Sequence, residues 1–351
     1  MIDTGGQNSE RGYSFISLGK LVAMIIIAAA IYVIMIFLDN WETVITALSG
    51  IPWWWVLPAM MILSFTNYLF RYAKWQYYLQ RIDVHFSHAD SFSIFLAGFT
   101  LTVSPGKIGE AIKGYFCRDV DGTPVAKTVP VVVSERVTDL LAMVILAAFS
   151  FLFLFTAENQ ILLVLGVGGA VVLGALVLTN KAFYNRILKR MISFGPLKRF
   201  QDSIDVIEDT MVRTLSPRPM MVGVLLSVPG WFMECLELWL LLSLMSGGVL
   251  PSFAPASLLL LIQATFIHAS ASAIGAVVLV APGGLGAYEI YARGVMEVFG
   301  LAAIATASIL LIRFVTLWFS VIVGFMALAV VTQRNRKRQS LVIQKSRVDE
   351  G

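Results

Sequence analysis

Apolar residues run along this chain in long blocks. The stretches 20–38, 53–70, 129–156, 161–179, 220–246 and 302–331 are each predominantly apolar. A helix of about 20 such residues crosses the roughly 30 Å core of a bilayer, so the pattern predicts about six full transmembrane helices. Two further apolar stretches run into polar, proline- and glycine-bearing segments: "SPGKIGE" at 104–110 and "APGGLGAYE" at 281–289. Between the blocks the period changes. Leu197, Phe200, Ile204, Ile207 and Met211 recur every three or four residues, which predicts an interfacial amphipathic helix within 196–215.

Composition agrees with the pattern. The chain is 58% hydrophobic and 14% charged, against about 25% charged for an ordinary soluble protein. An all-α polytopic membrane protein follows. The net charge of +4 is no nucleic-acid signal, because the basic residues are confined to particular loops. Cys117 and Cys235 read as free packing residues, and His85, His88 and His268 lack metal-ligand spacing. No metal or cofactor is expected. The block 20–38 ends in "LDNWE", without a small-x-small cleavage site, so it reads as a retained helix rather than a leader.

Lysine and arginine set the orientation. The loops 39–52, 157–160 and 247–256 contain none, whereas 1–20, 71–90, 181–219 and the tail from 332 are basic. Both termini are therefore expected on the cytoplasmic side of the inner membrane. That assignment closes only if the two proline-glycine segments are re-entrant hairpins. The limb 91–104 spans roughly 21 Å as a helix, too short to cross. Its return limb carries Lys107, Glu110, Lys113 and Arg118. Irregular backbone at that depth is tolerated only under cover of protein or a watery cavity. Residues 257–281 are long enough to span, but the charge rule favours a second hairpin there.

The two segments align without a gap at an offset of 177 residues. Pro105 matches Pro282, Gly106 matches Gly283, Gly109 matches Gly286, Trp54 matches Trp231, and Arg136 matches Arg313. With the orientations above, these are inverted-topology repeats, 52–179 and 229–331. They are joined by a linker at 181–219 and flanked by tails at 1–19 and 332–351. In transporters such repeats place the binding site where broken helices meet near the midplane.

The breaks at Pro105, Gly106, Gly109, Pro282 and Gly286 suggest chemistry. A helix restarting after Gly106, or after Gly283 and Gly284, exposes backbone N–H groups and a positive dipole end, which suit an anion. Lys107, Arg136 and Arg313 add full charge nearby. Glu110, Glu135 and Asp139 would position those groups or gate the path. Glu289 is spaced to pair with Arg293, and Glu234 and Glu237 lie mid-way along an apolar block. Ionisable groups at membrane depth are costly and usually functional. Structural readings compete: charge networks that lock helices, snorkelling lysines, and a packed His268. Tyr68, Tyr72, Trp75 and Tyr77 read as an interfacial aromatic belt.

The motifs "SPGKIGE…KGYF", "SERVTD" and "PGGLGAYE", in that order, resemble those of the lysylphosphatidylglycerol synthase transmembrane-region, or flippase-like domain, family over roughly 20–331. The resemblance implies a lipid flippase or a lipid-handling partner of an envelope pathway. It carries over most directly to Lys107, Glu110, Glu135, Arg136, Asp139 and Glu289. Synthase members carry a large soluble domain after the membrane region. Here about twenty residues follow the last apolar block, so lysyl transfer is not expected of this chain alone. The expected ligand is a membrane lipid with an anionic phosphate headgroup, of aminoacyl-phospholipid, glycolipid or polyprenyl-phosphate type. The alternatives are a non-catalytic partner of an envelope glycosyltransferase or lipid-synthesis enzyme, and a membrane-embedded transferase.

Overall fold

A computed structural model describes residues 18–38, 41–104, 108–154, 203–278 and 283–349. Among these there is no strand. The apolar blocks become helices α1 (Leu18–Leu38), α2 (Trp41–Ser49), α3 (Trp53–Arg81), α6 (Val125–Leu154) and α8 (Pro217–Gly247). Helices α11 (Ala302–Arg313) and α12 (Phe319–Asp349) are joined by a π turn, Phe314–Trp318. By length and composition, α6, α8, the helix Pro255–Val277 (α9) and the run Ala302–Arg338 are able to cross a membrane. Ala29–Phe37 and Trp41–Ser49, bent by 100° to each other, are together apolar enough for a broken fifth span or a re-entrant loop. The expected span 161–179 lies outside the described residues.

The expected span 53–70 begins a longer helix, α3, which is not among the helices apolar enough to cross. The cytoplasmic loop expected from residue 71 is instead helix to Arg81, and Arg71 and Lys74 are buried in it. The tyrosine-tryptophan belt is also corrected. Tyr68 and Trp75 are fully buried, and they pack with Phe95, Phe99 and Phe116 in one of the main apolar cores. An amphipathic helix does form over Ile204–Leu215 (α7), but its apolar face, Ile207, Met211 and Leu215, packs on Ala126 of α6.

Both proline-glycine segments reverse the chain. In the first, α4 (His88–Ala97) and a 3-10 turn, Gly98–Leu101, run in. A second 3-10 turn, Ile108–Ala111, and α5 (Ile112–Asp121) run back. The limbs meet in antiparallel register: a Cβ on Gly98 would lie 2.7 Å from Lys113 Cγ, and the Gly109 N–H donates to Ser104 Oγ at 2.7 Å. The inward limb covers about 23 Å, short of a crossing. In the second, α9 is followed by α10 (Ala287–Val298), again antiparallel, with His268 facing Tyr288 and Gly275 facing Gly284. Helix α9 rises about 34 Å and α10 only about 18 Å, so the return limb alone is too short to span.

The packing pairs one half with the other. Helices α3 and α8 lie side by side and antiparallel: Ser64 meets Glu237, Asn67 meets Gly230, and Lys74 meets Ser227. The helix after the first hairpin, α6, packs on α9 of the second. The last helix, α12, which continues α11 beyond the second hairpin, packs on α4 of the first. Each hairpin is thus braced by the closing helix of the opposite half. At the mouth of the first hairpin, Ser87 caps α4, and Arg334 and Arg338 of α12 reach Asp90 at 3.3 and 2.6 Å. Burial alone would raise the Asp90 carboxyl. The hydrogen bonds from Ser87 and Arg338, with the charges of Arg338 and Arg334, outweigh it and hold that group below the ordinary carboxylate range.

One glycine sets the closest approach. A Cβ on Gly324 of α12 would lie 2.3 Å from the Thr100 backbone nitrogen. Gly324→Ala must push the hairpin and α12 apart, at a cost of about 1–3 kcal/mol. A Cβ on Gly294 would meet nothing within 4 Å, so Gly294→Ala serves as a neutral comparison. Thermal unfolding of the purified protein in detergent should show a clear drop for the first variant and none for the second.

Candidate functional site

Three helices and the first hairpin converge on one buried charge network. Lys74 of α3 donates to Asp139 Oδ1 at 2.5 Å, to Ser227 Oγ at 2.6 Å and to Thr138 Oγ1 at 3.3 Å. Lys113 of α5 donates to Glu135 Oε2 at 2.6 Å, and its ammonium lies 4.4 Å from the Trp75 ring centre. Gly98 makes room for the Lys113 stem, where a Cβ would collide. Arg136 bridges Glu110 at 3.3 Å and Asp139 at 3.1 Å, while Arg71 lies 3.7 Å from Glu110 and stacks over Phe99. Glu110, Lys113, Glu135, Lys74 and Asp139 are essentially sealed from solvent. Charge at such depth persists only when paired and hydrogen-bonded.

A second network surrounds the other hairpin. Gly283, Gly284 and Gly286 take left-handed φ of 58°, 73° and 84°, which glycine alone adopts without strain. The turn ends as Glu289 reaches back to the Gly286 N–H at 2.7 Å and caps α10. The same carboxylate holds Arg313 Nε at 2.7 Å, and Arg313 Nη2 donates to the Gly283 carbonyl at 3.0 Å. The Glu289–Arg293 pair expected from spacing is therefore replaced by Glu289–Arg313. Arg293 Nε bonds Glu297 instead. The positive end of the restarted helix faces a protein carboxylate. His268 links Tyr288 (Nδ1, 2.9 Å) to Glu234 (Nε2, 3.0 Å), and Glu237 accepts the Ser64 hydroxyl at 2.8 Å.

The halves share a device. In each, a glutamate on the hairpin's return limb holds an arginine of the following helix: Glu110 with Arg136, and Glu289 with Arg313. Between the networks lies a cavity of about 40 Å³, lined among others by Arg71, Thr102, Glu234, His268, Gly283, Tyr288 and Arg313. It touches both hairpins and has room for about two or three waters.

Of the residues nominated from sequence, Glu234, Gly283 and Arg313 line this cavity. Glu110, Glu135, Arg136 and Asp139 form the adjoining network, which reaches the cavity through Arg71. Glu289 bonds the lining residue Arg313, and Glu237 bonds Ser64 away from the lining. Gly284 packs on Gly275, and Gly109 lies against Leu101 and Ser104. Lys107, Pro105, Gly106 and Pro282 lie outside the described residues. Sequence reasoning passed over Arg71, Lys74, Tyr288 and Thr102, and gave Lys113 and His268 no site role. The signal for α3 was present: Ser64, Asn67, Arg71, Lys74 and Tyr78 recur at three- and four-residue spacing, one polar stripe on a helix.

An all-α membrane fold with paired hairpins and buried charge is the frame into which the comparisons fall. The profile of the family described as "Lysylphosphatidylglycerol synthase TM region" matches residues 25–324. The chain belongs to that family. No curated protein and no solved structure matches it.

Breaking one buried pair should strand the partner. Lys113→Met leaves Glu135 uncompensated and should cost about 3–5 kcal/mol. Adding Glu135→Leu removes the orphan charge and should recover most of the loss. A double-mutant cycle on thermal unfolding checks this; additive losses would mean that the two side chains do not interact.

Proposed function

We propose that this protein moves a lipid with an anionic phosphate headgroup between the leaflets of the cytoplasmic membrane, as a transporter rather than an enzyme. The observation that carries this reading is the cavity between the halves, walled by Arg71 on one side of the pairing and Arg313 on the other. Guanidinium groups suit phosphate because their planar fork donates to two oxygens at once. Both arginines are held by carboxylates, Glu110 and Glu289. A phosphate entering the cavity would compete for those arginines, and Glu110 and Glu289 would re-engage them once it leaves. At about 40 Å³ the space is closed to a headgroup. The hairpins must separate to admit one, as in alternating access between inverted repeats.

In vesicles with a fluorescent phosphatidylglycerol, Arg71→Lys and Arg313→Lys should each slow lipid movement while the protein stays folded. Losing one charge-assisted hydrogen bond, about 1.5–3 kcal/mol, corresponds to roughly 10- to 100-fold. Wild-type rates in both variants would refute the phosphate role. The basic loops support an orientation with both termini in the cytoplasm. A cysteine at position 42 should then label from outside intact cells, and one at position 336 only after permeabilisation. External labelling at 336 would reverse the orientation.

A further inference from the structure

Among the described residues, one core carboxylate has no counter-charge. Glu110, Glu135, Asp139, Glu234 and Glu289 each sit within 4 Å of a lysine, arginine or histidine. Glu237 of α8 has none, although it is fully buried. Its Oε1 accepts the Ser64 hydroxyl at 2.8 Å, and its Oε2 has no hydrogen-bond partner among the described residues. From α3 it faces Tyr68, with Arg71 about two turns beyond Ser64. On its own helix stand Glu234 and Cys235. His268 of α9 bonds Glu234, one turn from Glu237, and Arg313 of α11 is taken by Glu289. Of the α6 charges, Asp139 meets α8 some ten residues away at Ser227, and Glu135 is taken by Lys113. Both arginines are already engaged by other carboxylates. A charge left alone in such an interior is expensive, whereas a neutral acid is not.

Glu237 also has a route to water. Glu234 lies one helical turn away, bonds His268 at 3.0 Å, and with it lines the cavity. We propose that Glu237 is a proton-binding site, filled through the Glu234–His268 pair, and that lipid movement is therefore coupled to protons. The coupling rests on the lipid-transport reading above; the proton site does not. In the closed form the proton sits on a Glu237 oxygen. When the cavity opens, that O–H bond breaks and the proton passes to the Glu234–His268 pair and on to cavity water. The carboxylate left behind is then hydrated. Closing reverses the transfer.

Two measurements on the full-length protein test this. Infrared difference spectra between acidic and alkaline buffer should show a protonated-carboxyl band in the wild type that is missing in Glu237→Gln. If that variant does not accumulate, Ser64→Ala should shift the band, since its hydroxyl is the donor to Glu237. A band unchanged in the variants, or none in the wild type, overturns the proton site. In phosphatidylcholine–phosphatidylglycerol vesicles, one pH unit across the membrane should skew labelled phosphatidylglycerol between leaflets about tenfold, for one proton per lipid. Glu237→Gln should give no skew. Lipid movement with no skew in the wild type overturns the coupling. No lipid movement by the wild type under any gradient refutes the transport reading, and the infrared result still decides the proton site.

Discussion

A charge buried in a membrane-spanning fold must find its counter-charge on another helix, and this requirement organises the molecule. Lys74 ties α3 to α6 and α8, Lys113 ties the first hairpin to α6, and Arg313 ties the second hairpin to α11. Apolar contact between helices gains little in a lipid environment, because lipid tails are equally apolar. The polar pairs therefore fix which helices meet and in what register. The hairpins depend on them most. Each is too short or too irregular to stand against lipid, and each is pinned by a carboxylate to the helix that follows it.

The same pins would make the proposed site responsive to an anion. Arg313 is held at once by Glu289, which caps α10, and by the Gly283 carbonyl at the hairpin turn. An anion that draws Arg313 away loosens the helix cap and the turn together. Arg71 is held by the 3.7 Å contact to Glu110, against 3.3 Å for Arg136. A lipid phosphate between the two arginines would thus act directly on both hairpins, and no separate relay is needed.

Much of this was legible in the sequence. Long apolar blocks gave the helices, and the proline-glycine segments gave the chain reversals, because neither residue sustains a helix there. Two things were hidden. Arg71 and Lys74 follow an apolar block and so look like a loop flank; only the continuing polar stripe Ser64–Asn67–Arg71–Lys74 shows the helix running on. Glu289 has Arg293 at ideal helical spacing, yet it bonds Arg313 across the fold, a long-range choice that local spacing cannot encode. Arg136 and Arg313 each take a hairpin glutamate, but of the two it is Arg313 that lines the cavity.

The central claim is that the cavity between the hairpins binds a lipid phosphate. Native mass spectrometry of the protein, extracted gently with its lipids, tests this most directly. The account predicts retained lipid enriched in anionic phosphate headgroups over the bulk membrane, with the enrichment lost in Arg313→Ala. Retained lipid that mirrors the bulk composition in both proteins would contradict it.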